Sequence, residues 1–215
     1  MSHRTNQWMI AAAAGCLLLV AGAAVADDWK PLFNGKDLTG WRPVGSKADS
    51  WGAEDGILFC KGGSGGWLST DKEYANYELE LEFRVPPGGN SGVFLRSPHE
   101  GDPAYSGMEI QVLDDAAKEY ASLQPSQYCG SLYGIQAPAK RVSKKAGEWQ
   151  KFHIEANGRH IKVTLNDTLL YDVDLDAHKA AEASHPGIKR ASGYIGLQNH
   201  GSRLDYRNLR IKELK

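Results

Sequence analysis

Residues Tyr77 to Val85 alternate strictly: Leu79, Leu81, Phe83 and Val85 are apolar, while Glu78, Glu80, Glu82 and Arg84 are charged. A period of two belongs to an extended strand, whose successive side chains point to opposite faces of a pleated sheet. One face of this strand must be buried, and the other must meet water or a ligand. Pro86-Pro87-Gly88-Gly89 then ends the run with a turn that cannot continue a ladder.

Similar short runs span Gly56–Cys60, Trp67–Thr70, Gly92–Ser97, Met108–Leu113, Trp149–Ala156, His160–Leu165, Leu169–Leu175, Tyr194–Gln198 and Leu204–Leu214. Asn166-Asp167-Thr168 joins two of them as a short hairpin. About ten turn-punctuated strands without crossover helices predict an all-β fold of two stacked antiparallel sheets. A short helical excursion is expected over Asp176–His185. The segment from Asp114 to Glu148 is long and irregular, and loops of that length in a compact domain often close over a site. Its basic residues Lys140, Arg141, Lys144 and Lys145 read as a solvated loop.

The first residues stand outside this pattern. Arg4 precedes an apolar run from Trp8 to Val25, which ends at Ala24-Val25-Ala26 before Asp27-Asp28. A basic start, an apolar middle and a small-x-small end describe a cleavable signal peptide over residues 1–26. A retained anchor is the rival reading, but the A-x-A site favours cleavage. Cys16 lies mid-run, where a lipid-attachment cysteine would not. The expected mature chain, residues 27–215, is one domain, periplasmic or secreted, with no stable membrane anchor. A formal net charge of −1 gives no long-range field for nucleic acid or an anionic membrane. Cys60 and Cys129 are the two cysteines of the mature chain, and an oxidising compartment would permit one disulfide between them.

Several motifs are set aside. Gly62-Gly63-Ser64-Gly65-Gly66 matches G-x-S-x-G, yet that motif needs a strand-to-helix elbow, and Trp67-Leu68-Ser69 reads as strand. The glycines are better placed in a hairpin loop. Seven histidines show no zinc-ligand spacing. Asp114-Asp115 beside the long loop would suit a calcium ion, although adjacent carboxylates are more often solvated. The sequence makes no cofactor certain, and a bound metal ion such as calcium is left open.

Parity along three strands identifies the candidate site. Glu109 and Gln111 oppose the apolar Met108, Ile110 and Val112. Phe94 and Arg96 oppose Val93 and Leu95, and Tyr194, Gln198 and His200 oppose Ile195 and Leu197. A plain wet face prefers Lys, Glu and Thr, whereas Glu, Gln, Arg, His and Tyr offer directional donors and acceptors for hydroxyl groups. The run from Glu109 to Asp114 compares with the E-x-D-x-x-E strand of sandwich glycoside hydrolases, but Gln111 replaces the middle carboxylate and Asp114 faces the core by parity. Ordinary glycoside cleavage uses two placed carboxylates, and only Glu109 is placed.

Longer signatures run in order through the mature chain: Pro31-Leu-Phe-Asn-Gly-Lys-Asp-Leu-Thr-Gly-Trp41, Asn90-Ser-Gly-Val-Phe-Leu-Arg96, Met108-Glu-Ile-Gln-Val-Leu-Asp114, Leu132-Tyr-Gly134, Gly193-Tyr-Ile-Gly-Leu-Gln-Asn-His-Gly201 and Tyr206-Arg-Asn-Leu-Arg-Ile211. Together they resemble the 3-keto-disaccharide hydrolase domain family. The resemblance implies a concanavalin-like jelly-roll sandwich in an exported protein acting on sugars oxidised at C3. A C3 ketone acidifies the C2 hydrogen, so one base, one acid and a donor for the enolate oxygen suffice for elimination, and water then adds. For that chemistry the candidate base or acid is Glu109 or His200, and Arg96, helped by Gln111 or Gln198, would polarise the C3 oxygen. Asn90, Tyr133 and Trp41 would line the sugar pocket, with Trp41 equally suited to core packing. The alternatives are a non-catalytic carbohydrate-binding module using the same face and an ordinary endo-glycosidase.

Overall fold

The computed structural model describes Met1, residues 28–63 and residues 65–215. The expected signal peptide over residues 1–26 and Ser64 lie outside the described residues, Met1 apart. Among the described residues thirteen strands follow one another: β1 (Lys30–Pro31), β2 (Trp41–Val44), β3 (Trp51–Glu54), β4 (Ile57–Cys60), β5 (Trp67–Tyr74), β6 (Tyr77–Arg84), β7 (Asn90–Ser97), β8 (Met108–Leu113), β9 (Gln150–Asn157), β10 (His160–Leu165), β11 (Thr168–Asp174), β12 (Gly193–Gln198) and β13 (Leu204–Glu213). They form two antiparallel sheets. One has the order β11-β10-β9-β6-β13-β4-β3 with β1 also on β13, and the other has the order β2-β5-β12-β7-β8.

The core lies between the sheets. Leu79, Leu81 and Phe83 of β6 are at most 1% exposed, as are Val93, Leu95, Met108, Ile110, Val112, Ile195 and Leu197 from the five-stranded sheet. The alternation of β6 thus places its apolar set inward. Its charged set forms an ion-paired outer layer with β13: Lys212 with Glu78, Arg210 with Glu80, and Arg207 with Glu82, at 2.7–3.0 Å. Half-exposed pairs of this kind contribute little each, about 0–1 kcal/mol, so the burial on the other face dominates.

The expected hairpin is present: Asn166 and Asp167 take positive φ of 50° and 61°, the left-handed pair that a tight two-residue turn needs. The helical excursion is a 3₁₀ segment, Leu175–Ala183. Short strands β1, β2 and β3 escape the sequence pattern because two to four residues carry too few alternations. The glycines at 62–66 do not close a hairpin, since β4 pairs with β3 and β13 whereas β5 pairs with β2 and β12. That segment crosses from one sheet to the other.

Three readings that the sequence left open take one side in the structure. Cys60 and Cys129 are both buried and both free thiols. Burial raises the pKa of each above its ordinary value. Trp41 faces the core, 6% exposed, and its indole N–H donates to Leu32 O at 2.7 Å; parity in β2 turns Arg42 outward instead. Asp114 and Asp115 are committed to the loop rather than to a cation. Asp114 accepts from Gly88 N at 2.9 Å, and Asp115 accepts from Cys129 N at 2.9 Å and Ser143 Oγ at 2.8 Å.

Candidate active site

The outer face of the five-stranded sheet carries the polar set. Phe94 pairs with Glu109 and Gly92 with Gln111 across β7 and β8, while Leu197 pairs with Val93 across β12 and β7. This register brings Asn90, Glu109, Gln111 and Gln198 to one cavity of about 210 Å³, with His200 at its exposed rim. The long loop supplies Tyr120, Leu123, Gln127 and Tyr133, and the short helix α1 (Pro103–Ser106) with its cap supplies Asp102, Ala104 and Tyr105.

Glu109 sits at the floor, 4% exposed, and its Oε1 has no hydrogen-bond partner. Gly92 on the adjacent strand makes this possible: a Cβ there would fall 1.8 Å from Glu109 Oε1. Burial, and secondarily the negative charge of Asp102, push the Glu109 carboxyl up from 4.5 to about 8. Such a group can exist in either protonation state near neutrality and is a stronger base than an ordinary carboxylate when ionised.

Amide groups surround it. Gln111 Nε2 donates to Asn90 Oδ1 at 3.0 Å, and Gln198 Oε1 is buried with no partner. Gln127 Nε2 donates to the Tyr133 hydroxyl at 2.9 Å. Glu109 Oε1 and Gln198 Oε1 are therefore two unsatisfied buried acceptors lining one cavity. Leaving such groups unpaired costs about 1–3 kcal/mol each, a cost that a polyhydroxylated ligand would relieve. On the far side of the wall, Tyr105 leans on the buried ring of His185, with centroids 4.9 Å apart. Burial lowers the pKa of His185, favouring its neutral form.

Arg96 does not join this set. The three-residue step from Phe94 to Ser97 on β7 faces the two-residue step from Gly196 to Tyr194 on β12, and within that bulge Arg96 takes φ 51°. The bulge turns its side chain away from the cavity, where it is fully buried. Its guanidinium donates to Ala75 O, Gly158 O, Arg190 O and Asn76 Oδ1 at 2.7–3.4 Å. Arg96 thus ties together the chain turns at one end of the sandwich. Tyr194 is also elsewhere on the face, stacked on His99 with centroids 3.7 Å apart. Parity extrapolated along a regular strand finds Glu109, Gln111 and Gln198 but fails past a bulge. Asp102, Tyr105, Tyr120, Leu123 and Gln127 were missed, because they come from segments without periodicity; the length of the loop after Asp114 was the sole signal.

Comparison with known proteins points the same way. The 3-keto-alpha-glucoside-1,2-lyase-like domain matches residues 28–212. A 3-keto-disaccharide hydrolase of Bacteroides thetaiotaomicron is 30% identical over 88% of this chain and 79% of its own length. The crystal structure of a candidate glycosyl hydrolase from Parabacteroides distasonis superposes with a TM-score of 0.76 at 30% identity, covering 86% of this chain and 99% of that one. The sandwich recurs in the laminarinase of Rhodothermus marinus, with a TM-score of 0.54 at 12% identity over 86% and 95% of the two chains. That last likeness is one of fold alone.

Proposed function

This chain belongs to the 3-keto-alpha-glucoside-1,2-lyase-like family, and on that premise we propose that it is a carbohydrate-active enzyme that cleaves the glycosidic bond of 3-keto-glycosides. The observation that carries the reading is Glu109, a buried and unpaired carboxyl at the floor of a cavity walled by amides and tyrosines.

In the proposed reaction the Glu109 carboxylate takes the C2 proton, and the C–H electrons move into an enolate on the C3 oxygen. Because Arg96 is spent on backbone carbonyls, neutral donors hold that oxygen: the Gln198 and Asn90 amides. The enolate then collapses, the C3 carbonyl re-forms, a C1–C2 double bond appears and the C1–O bond breaks. His200 at the rim is the acid for the departing oxygen. Water adding to C1 completes a net hydrolysis. Asp102 enters as a charge that raises the basicity of Glu109, not as the second member of an opposed carboxylate pair.

Incubation with a 3-keto-disaccharide and with its unoxidised parent tests the reading. Release of free sugar from the keto form alone supports it, and cleavage of the parent at a similar rate refutes it. Binding without cleavage of either would identify a carbohydrate-binding module. As base, Glu109 should make kcat/KM rise with pH through about 8. We also propose export, with removal of residues 1–26; amino-terminal sequencing of the mature protein should begin at Asp27.

A further inference from the structure

We propose that the site is a blind pocket for one terminal sugar ring, so that the enzyme removes oxidised residues from the non-reducing end of a glycoside and spares internal ones. This rests on the reading above and adds positional selectivity to it.

On an open sheet face a cleft would run across the strands. Here Arg42, Ser69, Gly196, Phe94 and Glu109 occupy neighbouring positions on β2, β5, β12, β7 and β8. Directly beside Glu109 that path is filled. Phe94 is 1% exposed and Trp67 is 3% exposed, and the two rings meet edge-to-face at 5.6 Å. Trp67 packs closely on Gly196, where a Cβ would come within 2.2 Å of the indole. Ala104 of α1 is buried against the same rings, and the stacked His99 and Tyr194 continue the obstruction. This second apolar cluster is separate from the core between the sheets and acts as a plug.

The opposite end is closed as well. β8 is an edge strand, and the returning loop pairs along it: Gln111 N donates to Ser131 O, Gly130 N to Gln111 O, and Tyr133 N to Glu109 O, all within 3.0 Å. The loop residues Tyr120, Leu123, Gln127 and Tyr133 stand on that side of the cavity. What remains is about 210 Å³. An engineered cavity of ~150 Å³ holds one six-membered ring, so this one takes a single pyranose and no second. The scissile C1 bond must then point to the mouth, where His200 lies, and a ring substituted at both ends cannot enter.

The test uses the full chain with a 3-keto-disaccharide and two trisaccharides, one oxidised on the non-reducing terminal ring and one on the central ring. The two terminally oxidised sugars should be cleaved within about threefold of each other in kcat/KM, and the centrally oxidised one about 100-fold more slowly or not at all. Equal cleavage of the central-ring ketone overturns the blind pocket while leaving the keto-sugar reading intact. Cleavage of an unoxidised trisaccharide from its end alone would do the reverse. Calorimetric titration of the Glu109→Gln protein with the same sugars decides the matter if no cleavage occurs. Equal affinity for both terminally oxidised sugars supports the pocket, and affinity that climbs with each added ring overturns it.

Discussion

Replacing Glu109 with Gln should change how stability depends on pH, and the size of the change follows from the burial of that one carboxyl. A group whose pKa is raised by folding, here from 4.5 to about 8, costs nothing while it is protonated in both states. Below about pH 4.5 the penalty is therefore absent. Between 4.5 and 8 the unfolded chain ionises while the folded one does not, and stability falls by about 1.36 kcal/mol per pH unit. Above 8 the loss is complete, on the order of 5 kcal/mol for this shift. That is a large share of the 5–15 kcal/mol typical of a folded domain. The Gln side chain has nearly the same shape and does not titrate. Urea denaturation of both proteins at pH 5 and pH 9 should give a difference in unfolding free energy that shifts by about 4 kcal/mol in favour of Glu109→Gln at the higher pH. In a thermal scan this is roughly 10 °C. The comparison cancels all titrations the two proteins share. Parallel pH curves would refute the reasoning, because they would mean that Glu109 titrates alike in the folded and unfolded chains.

The remaining predictions concern its neighbours. Gly92→Ala places a methyl 1.8 Å from Glu109 Oε1, so kcat/KM should fall at least about 100-fold while the overpacking costs about 1–3 kcal/mol of stability; unchanged kinetics would sever Gly92 from the seating of Glu109. Asp102→Asn removes the charge that helps to raise Glu109, and the rise in kcat/KM should move to lower pH. Arg96→Met strips the donors from Ala75 O, Gly158 O and Arg190 O, so unfolding free energy should drop by about 2–4 kcal/mol, with kcat/KM per folded molecule retained; a selective kcat defect would return Arg96 to the chemistry. The folded protein should leave Cys60 and Cys129 unlabelled by a thiol reagent, and denaturation without reductant should expose both. A denatured chain that stays unlabelled would reveal a disulfide.

Much of this protein was legible in its sequence because β-structure writes burial into every second residue. Tyr77 to Val85 declared its inward face, and the same parity put Glu109 and Gln111 on one surface and Met108, Ile110 and Val112 on the other. The ordered motifs from Pro31 to Ile211 identified the family. Parity is a local rule, however, and it holds only while the ladder is regular. The bulge at Arg96 turned an expected oxyanion donor into a buried tie between turns. Facing positions on different strands depend on register, which no single strand contains, so the seat that Gly92 provides for Glu109 was invisible. Asp102 and Tyr105 reach the cavity through a helical turn, and Tyr120 through the loop, by contacts far apart along the chain. Sequence thus determined the longer strands, the sandwich and the carboxyl at its centre. Only tertiary structure decided that this carboxyl is unpaired and raised towards neutrality, because its proton affinity depends on what surrounds it in space.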